Sequence, residues 1–131
     1  MHKFILKYEL DFDFVLIAVS CPLKDYRLCH FINKQTGLDF RKADDYRAAF
    51  SRYAYASEAF ETEYFLIANR SEESGYLIPE MKTSDYFLLI RNFIDEEDLE
   101  HLLDQINAIP EVVVATEIAP EKLKSRENLI F

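Results

Sequence analysis

The chain has 131 residues, of which 50% are hydrophobic and 15% aromatic, and it carries a formal charge of −9. That length fits one domain able to bury roughly two-thirds of its unfolded surface, and the apolar content excludes wholesale disorder. Only two glycines, Gly37 and Gly75, are present, which excludes a glycine-rich phosphate loop, and the acidity disfavours nucleic acid and anionic lipid as partners.

The acid is unevenly spread. Residues 1–66 hold 9 basic and 10 acidic side chains, and residues 67–131 hold 6 and 14, so the halves carry −1 and −8. A basic-leaning stretch runs through Lys24, Arg27, Lys34, Arg41, Lys42, Arg47 and Arg52, diluted by Asp25, Asp39, Asp44 and Asp45. A solvated mixed-charge surface accounts for it better than a nucleic-acid face does. Cys21 and Cys29 read as two reduced, buried thiols rather than a disulfide framework. The N-terminus lacks the pattern of a secretory signal, and the longest apolar run, Phe14 to Val19, is far too short to span a membrane. A cytoplasmic protein is expected.

In chain order, residues 3–14 alternate with one break at Ile5, and this period of two predicts a half-buried strand, clearest over 3–10. Residues 14–19 are all apolar; a buried strand and a short buried helix both fit so short a run. A helix is expected over 23–36. Ser20 or Cys21 would cap it, Pro22 would take the first position and Asp25 would face the dipole in the first turn. Leu28, Phe31 and Ile32 make its apolar face, with Cys29 flanking that face, Leu23 and Tyr26 on the other side, and Gly37 as the stop.

The middle reads as β-rich, with strands over 48–56 and 60–68. A polar turn cluster follows from Asn69 to Gly75, then a short strand Tyr76 to Ile78 ended by Pro79, and a strand from Tyr86 to Ile90. Residues 95–109 form a helix capped by Asp95, with Leu99, Leu102, Leu103, Ile106 and Ile109 as its buried stripe and Pro110 closing it. Glu111 to Ile118 reads as a strand, Pro120 to Arg126 as a short helix and Asn128 to Phe131 as a tail. The whole is a single α+β domain over 1–131. A largely antiparallel sheet of about five to six strands packs with two main helices, 23–36 and 95–109.

The residues that carry chemistry are sparse. His2, His30 and His101 have no His or Cys partner at helical metal spacing. The carboxylate runs Asp44-Asp45, Glu72-Glu73 and Asp95 to Asp98 lack the alternating oxygens and glycine of a hard-cation loop. No catalytic residue, cofactor or metal is expected. The 11 Phe and 8 Tyr, with no Trp, are the unusual feature. Tyr53, Tyr55, Phe60, Tyr64 and Phe65 crowd the middle strands. Most should be core or cross-strand pairs, and any that face solvent fit a protein interface better than base stacking on so acidic a chain.

The segment Ile78-Pro79-Glu80-Met81-Lys82-Thr83-Ser84-Asp85-Tyr86 resembles the IPExxxVDY family. Ile78, Pro79, Glu80, Asp85 and Tyr86 match that pattern, and Ser84 stands where it has Val. The resemblance extends over Asp13-Phe14 through Leu28, notably Leu23-Lys24-Asp25-Tyr26-Arg27-Leu28, and over Leu123-Lys124-Ser125 with Glu127-Asn128-Leu129. It implies a small bacterial cytoplasmic protein and no particular activity. Two readings of the motif stand. In the structural one, Pro79 ends a strand, Asp85 accepts backbone N–H groups and Tyr86 buries its ring. In the functional one, Glu80, Asp85 and Tyr86, with Asp25, Tyr26 and Arg27, grip a partner or ligand.

The expected function is a non-catalytic protein-binding or adaptor domain whose partner is another protein or a second copy of itself. The alternatives are a regulator binding RNA or an RNA-processing assembly through residues 24–52, and a small-ligand protein with a pocket between helix and sheet.

Overall fold

A computed structural model of the chain describes residues 14–130. The strand expected over 3–10 lies outside the described residues. The elements in order are β1 (Phe14–Ser20), α1 (Asp25–Thr36), β2 (Arg41–Tyr46), β3 (Phe50–Ser57), β4 (Thr62–Ala68), β5 (Arg70–Ser71), β6 (Gly75–Tyr76), β7 (Tyr86–Arg91), α2 (Glu96–Asn107) and β8 (Val114–Ile118). Short 3₁₀ turns span Pro79–Met81, Pro120–Lys122 and Arg126–Leu129. Six strands form one sheet in the order β2-β3-β4-β7-β1-β8, antiparallel at every pairing. Strands β5 and β6 form a separate small hairpin. This is the expected α+β fold.

The apolar run from Phe14 to Val19 is a strand, and burial on both faces of the sheet explains its composition. In β1, Ile17 and Val19 face the helices, while Leu16 and Ala18 face the other way. Its partner β7 does the same, with Tyr86, Leu88 and Ile90 on one face and Phe87 and Leu89 on the other. A strand covered twice has no polar side, so it reads as a continuous apolar run instead of an alternation.

Both helices lie on the same face. Leu28, Cys29 and Ile32 of α1 and Leu99, Leu102 and Ile106 of α2 close over the central strands. The opposite face has no helix layer among the described residues. It is covered by Leu77, Ile78, Leu123 and Leu129, carried on irregular chain and 3₁₀ turns. The short helix expected at Pro120 to Arg126 is a single 3₁₀ turn, Pro120–Lys122, and a second turn, Arg126–Leu129, runs into the expected tail and delivers Leu129 into the core.

Several boundaries differ from expectation. Helix α1 begins at Asp25, with Lys24 as its N-cap, and the Cys21 N–H ahead of it donates to the Asp85 carboxylate at 2.7 Å. Pro22 lies before the helix. Cys29 belongs to the buried face rather than flanking it. Gly37 closes α1 at φ 79° with its N–H on the Asn33 carbonyl, as its freedom at positive φ allows. Helix α2 starts where expected: Asp95 accepts from the Asp98 N–H at 2.8 Å. No sequence pattern predicts strand β2, an exposed edge strand of mostly charged residues. The strand expected at Tyr76 to Ile78 is only Gly75–Tyr76. Leu77 and Ile78 turn under the sheet, and Pro79 opens a 3₁₀ turn instead of ending a strand. Strand β8 starts at Val114 rather than at Glu111.

The two sheet edges are protected differently. Edge β2 carries Arg41, Lys42, Asp44 and Asp45 and a register shift between Ala43 and Tyr46. Edge β8 carries exposed Val114 and is blocked by a side chain. The Asn107 amide donates to the Ala115 carbonyl at 2.9 Å, and the Asn107 side-chain oxygen accepts from the Ala115 N–H at 2.9 Å. These are backbone groups that an added strand would need.

Candidate functional site

The IPExxxVDY-like segment packs around Asn69, which is wholly buried. The Asn69 N–H donates to the Asp85 carbonyl and its own carbonyl accepts from the Leu77 N–H. Its side-chain oxygen accepts from the Ile78 N–H at 2.8 Å, and its amide donates to the Met81 and Ser84 carbonyls, both at 2.9 Å. One polar side chain therefore serves three backbone groups of the loop, and for the Ile78 N–H and the Ser84 carbonyl it is the partner that burial requires, whereas the Met81 carbonyl also accepts from the Ser84 N–H. Ser84 is buried here.

The motif's own polar groups are engaged inside the fold. Asp85 Oδ2 accepts from the Cys21 N–H, and Ser20 Oγ donates to the Thr83 carbonyl at 2.8 Å. The Tyr86 hydroxyl donates to the Leu23 carbonyl at 2.5 Å. Burial, reinforced by the Asp25, Cys21, Asp85 and Tyr53 groups around it, holds that hydroxyl well above the ordinary phenol range. Glu80 sits apart from these residues and grips the C-terminal segment, accepting from the Ser125 N–H at 2.7 Å and the Ser125 hydroxyl at 2.8 Å. Desolvation pushes the Glu80 carboxyl up, but hydrogen bonds from the Ser125 backbone, its own backbone, the Ser125 hydroxyl and the Lys124 backbone outweigh that and hold it below its ordinary value.

The structure thus brings together Asp25, Asp85 and Tyr86 near the start of α1. Asp25 Oδ1 accepts from the Tyr26 N–H, and Oδ2 accepts from the Ser51 hydroxyl and from the Tyr53 hydroxyl at 3.4 Å. Tyr53 is pushed up to about 12, first by burial, then by the nearby Asp25 and Cys29. Tyr26 points outward, 59% exposed, and the Arg27 guanidinium lies 5.9 Å from the Phe31 ring centre. Beside Asp25 and Tyr86 opens a basin of about 610 Å³, edged by Lys24, Asp45, Ser51, Arg70, Glu72 and Glu73. Two cations against four carboxylates, counting Asp25, give it no single-sign field with which to hold an anion.

A second concavity, of about 270 Å³, lies between α2 and the β3–β4 hairpin. Its lining comes from Leu38 after α1, Tyr55 and Tyr64 on the sheet, Phe60 in the hairpin loop, and Ile94, Asp98, His101, Leu102 and Gln105 on and before α2. The Tyr55 and Tyr64 rings are 5.7 Å apart, and each lies within 6.3 Å of Phe40. Burial, with Tyr55 and Asp98 beside it, raises the Tyr64 hydroxyl above its ordinary value. Phe60 is 75% exposed at the rim. Its loop is held in place: the Thr62 hydroxyl donates to the Phe93 carbonyl, and the Asn92 amide donates to the Glu61 carbonyl at 2.7 Å. The sequence pointed to Tyr55, Phe60 and Tyr64. It did not single out the helical wall, although Asp98, His101 and Gln105 share one helix face at spacings of three and four.

Both cysteines are buried. Burial pushes the Cys29 thiol up to about 11, with Asp25 and Asp39 adding to it, and the thiol lies 3.7 Å from the Phe40 carbonyl. Burial likewise raises Cys21 against a Leu23 backbone hydrogen bond, with Asp85 and Glu111 adding to it. Thiols held protonated are poor nucleophiles. Among the described residues no group of three His, Cys, Asp or Glu side chains is arranged to hold a metal ion. No described helix is long and apolar enough to cross a membrane.

Four residues of the basic stretch have partners within the fold. Arg41 pairs with Asp39 and Lys42 with Asp45, Arg47 donates to the Glu127 carbonyl, and Arg52 donates to the Asp44 carbonyl. Compared with models of known protein families and with curated proteins, the chain matches none.

Proposed function

We propose that this chain is a non-catalytic protein-binding domain whose docking element is the aromatic groove between α2 and the β3–β4 hairpin. The observation that carries the reading is Phe60, a large apolar side chain left in solvent on a braced loop at the rim of a concavity. Other apolar side chains are also exposed, but Phe60 stands at the rim of a concavity, and an aromatic anchor beside a preformed pocket is what binding hot spots use. The internal engagement of Glu80, Asp85 and Tyr86 supports the structural reading of the motif and draws the binding role away from it. The ion pairs of Arg41 and Lys42 with Asp39 and Asp45, and the acidity of the chain, lend the RNA reading less support. Membership in the IPExxxVDY family and a bacterial cytoplasmic setting belong to the same proposal, supported by the match at Ile78-Pro79-Glu80 and Asp85-Tyr86.

The test is an affinity pull-down of the tagged chain from its own cells, with and without nuclease, beside the Phe60→Ser variant. The expected result is a stoichiometric protein partner that survives nuclease and is lost from Phe60→Ser at an unchanged melting temperature. A partner set that vanishes with nuclease, or one that Phe60→Ser retains in full, overturns the reading.

A further inference from the structure

We infer that the occupant of this groove is a basic segment of a partner protein, presenting one apolar or aromatic side chain between lysines or arginines. This rests on the protein-binding reading above and adds the chemistry of the partner.

Size speaks first. The cavity, at about 270 Å³, falls just below the range of roughly 300–1,000 Å³ typical of sites that enclose a whole small molecule. A single large side chain suits it better. The interior offers apolar surface from Leu38, Ile94 and Leu102 and the faces of Tyr55 and Tyr64. Gln105 at the wall gives its amide to the Gln35 carbonyl at 3.1 Å and Thr36 its hydroxyl to the Ile32 carbonyl at 2.7 Å, while Ser57, His101 and the two tyrosine hydroxyls add polar groups to the lining.

Charge speaks second, and independently of shape. The two segments that frame the opening are residues 57–63 and 94–101. Neither contains a Lys or Arg, while together they contain Glu58, Glu61, Asp95, Glu96, Glu97, Asp98 and Glu100, besides Glu63, which pairs with Arg91 at 2.9 Å. Glu58, Glu61, Glu97 and Asp98 are exposed and have no ion-pair partner among the described residues. The capping role of Asp95 accounts for acid at the helix start, since carboxylates there favour the dipole. It does not account for Glu58 and Glu61, which lie across the groove on the hairpin. A largely apolar slot with Asp98 in its wall, and with exposed Glu58 and Glu61 flanking Phe60 in sequence, complements a basic segment and repels an acidic one.

The experiment pans a random-peptide phage library on the full chain, with counter-selection on Phe60→Ser. Consensus peptides are then titrated calorimetrically at low and high salt against the wild type, Phe60→Ser and the double variant Glu58→Lys with Asp98→Lys. The expected consensus holds one aromatic or aliphatic residue flanked by Lys or Arg. Its affinity should fall about tenfold or more in Phe60→Ser, as for a hot-spot residue, and again in the double variant, and should weaken as salt rises. Should a variant fail to fold, chemical-shift mapping of the peptide on the wild-type chain at Tyr55, Tyr64, Ile94 and His101 replaces it. An uncharged or acidic consensus that still depends on Phe60 overturns the basic-partner inference and leaves the protein-binding reading standing. A library that yields no Phe60-dependent binder overturns both.

Discussion

Asn69 shows how much one polar side chain can hold when it is wholly enclosed. Its amide and carbonyl serve Ile78, Met81 and Ser84 across the motif loop, and the Ile78 N–H and Ser84 carbonyl would be stranded without it. Asn69→Ala is expected to cost about 3 kcal/mol, the penalty of leaving these two buried groups unpaired, read as a lower urea midpoint at unchanged slope. The buried acids give a second expectation. Cys29 and Tyr53 ionise near 9.0 and 10.0 when unfolded but at about 11 and about 12 in the fold. A raised folded pKa favours the neutral, folded form, so their contribution is fully present below about pH 9 and declines as pH climbs towards 12. Urea midpoints measured from about pH 7 to 11 should hold and then fall. At this scale Asp85 and Tyr86 were legible as groups that would be satisfied at a strand start. Their partners were not, because Cys21 and Leu23 are 64 and 63 residues away and no local pattern encodes such pairings.

Among the elements, the β2–β3 turn is the most strained. Arg47 and Ala48 both take positive φ, at 54° and 59°, within a tight turn closed by the Ala49 N–H on the Tyr46 carbonyl. Mirror-type turns suit the twist of a hairpin but favour glycine or asparagine at such positions. Ala48→Gly should therefore raise stability by about 1 kcal/mol, seen as a higher melting temperature with the same fold by circular dichroism. Elements with a strong local pattern were legible. Helix α2 has its cap, its acidic first turn and its apolar stripe in sequence, and Gly37 marks the end of α1. Strand β2 was not legible, since an edge strand of charged residues lacks both alternation and apolar content. The start of α1 was misplaced because Pro22 fits a helix N-terminus locally, while Asp85 claims the Cys21 backbone through the tertiary fold.

For the molecule as a whole, the fold class followed from strands separated by short polar turns and two helical patterns, but the asymmetry of its covering did not. Both helices lie on one face, and Leu77, Ile78, Leu123 and Leu129 line the other from segments with no period of their own. The groove likewise spans elements far apart in sequence, so its tyrosines were visible as a cluster but its helical wall was not. Association of whole molecules turns on the β8 edge. Asn107→Ala removes the group that occupies the Ala115 backbone, and sedimentation at rising concentration should show more self-association than in the wild type. The same contact links the protein's behaviour to its chemical age. Spontaneous hydrolysis of the Asn107 amide would replace the donor with a carboxylate oxygen opposite the Ala115 carbonyl, turning one of the two bonds into a repulsion. An old molecule would then expose a pairing edge that a newly made one conceals, with no change in its gene.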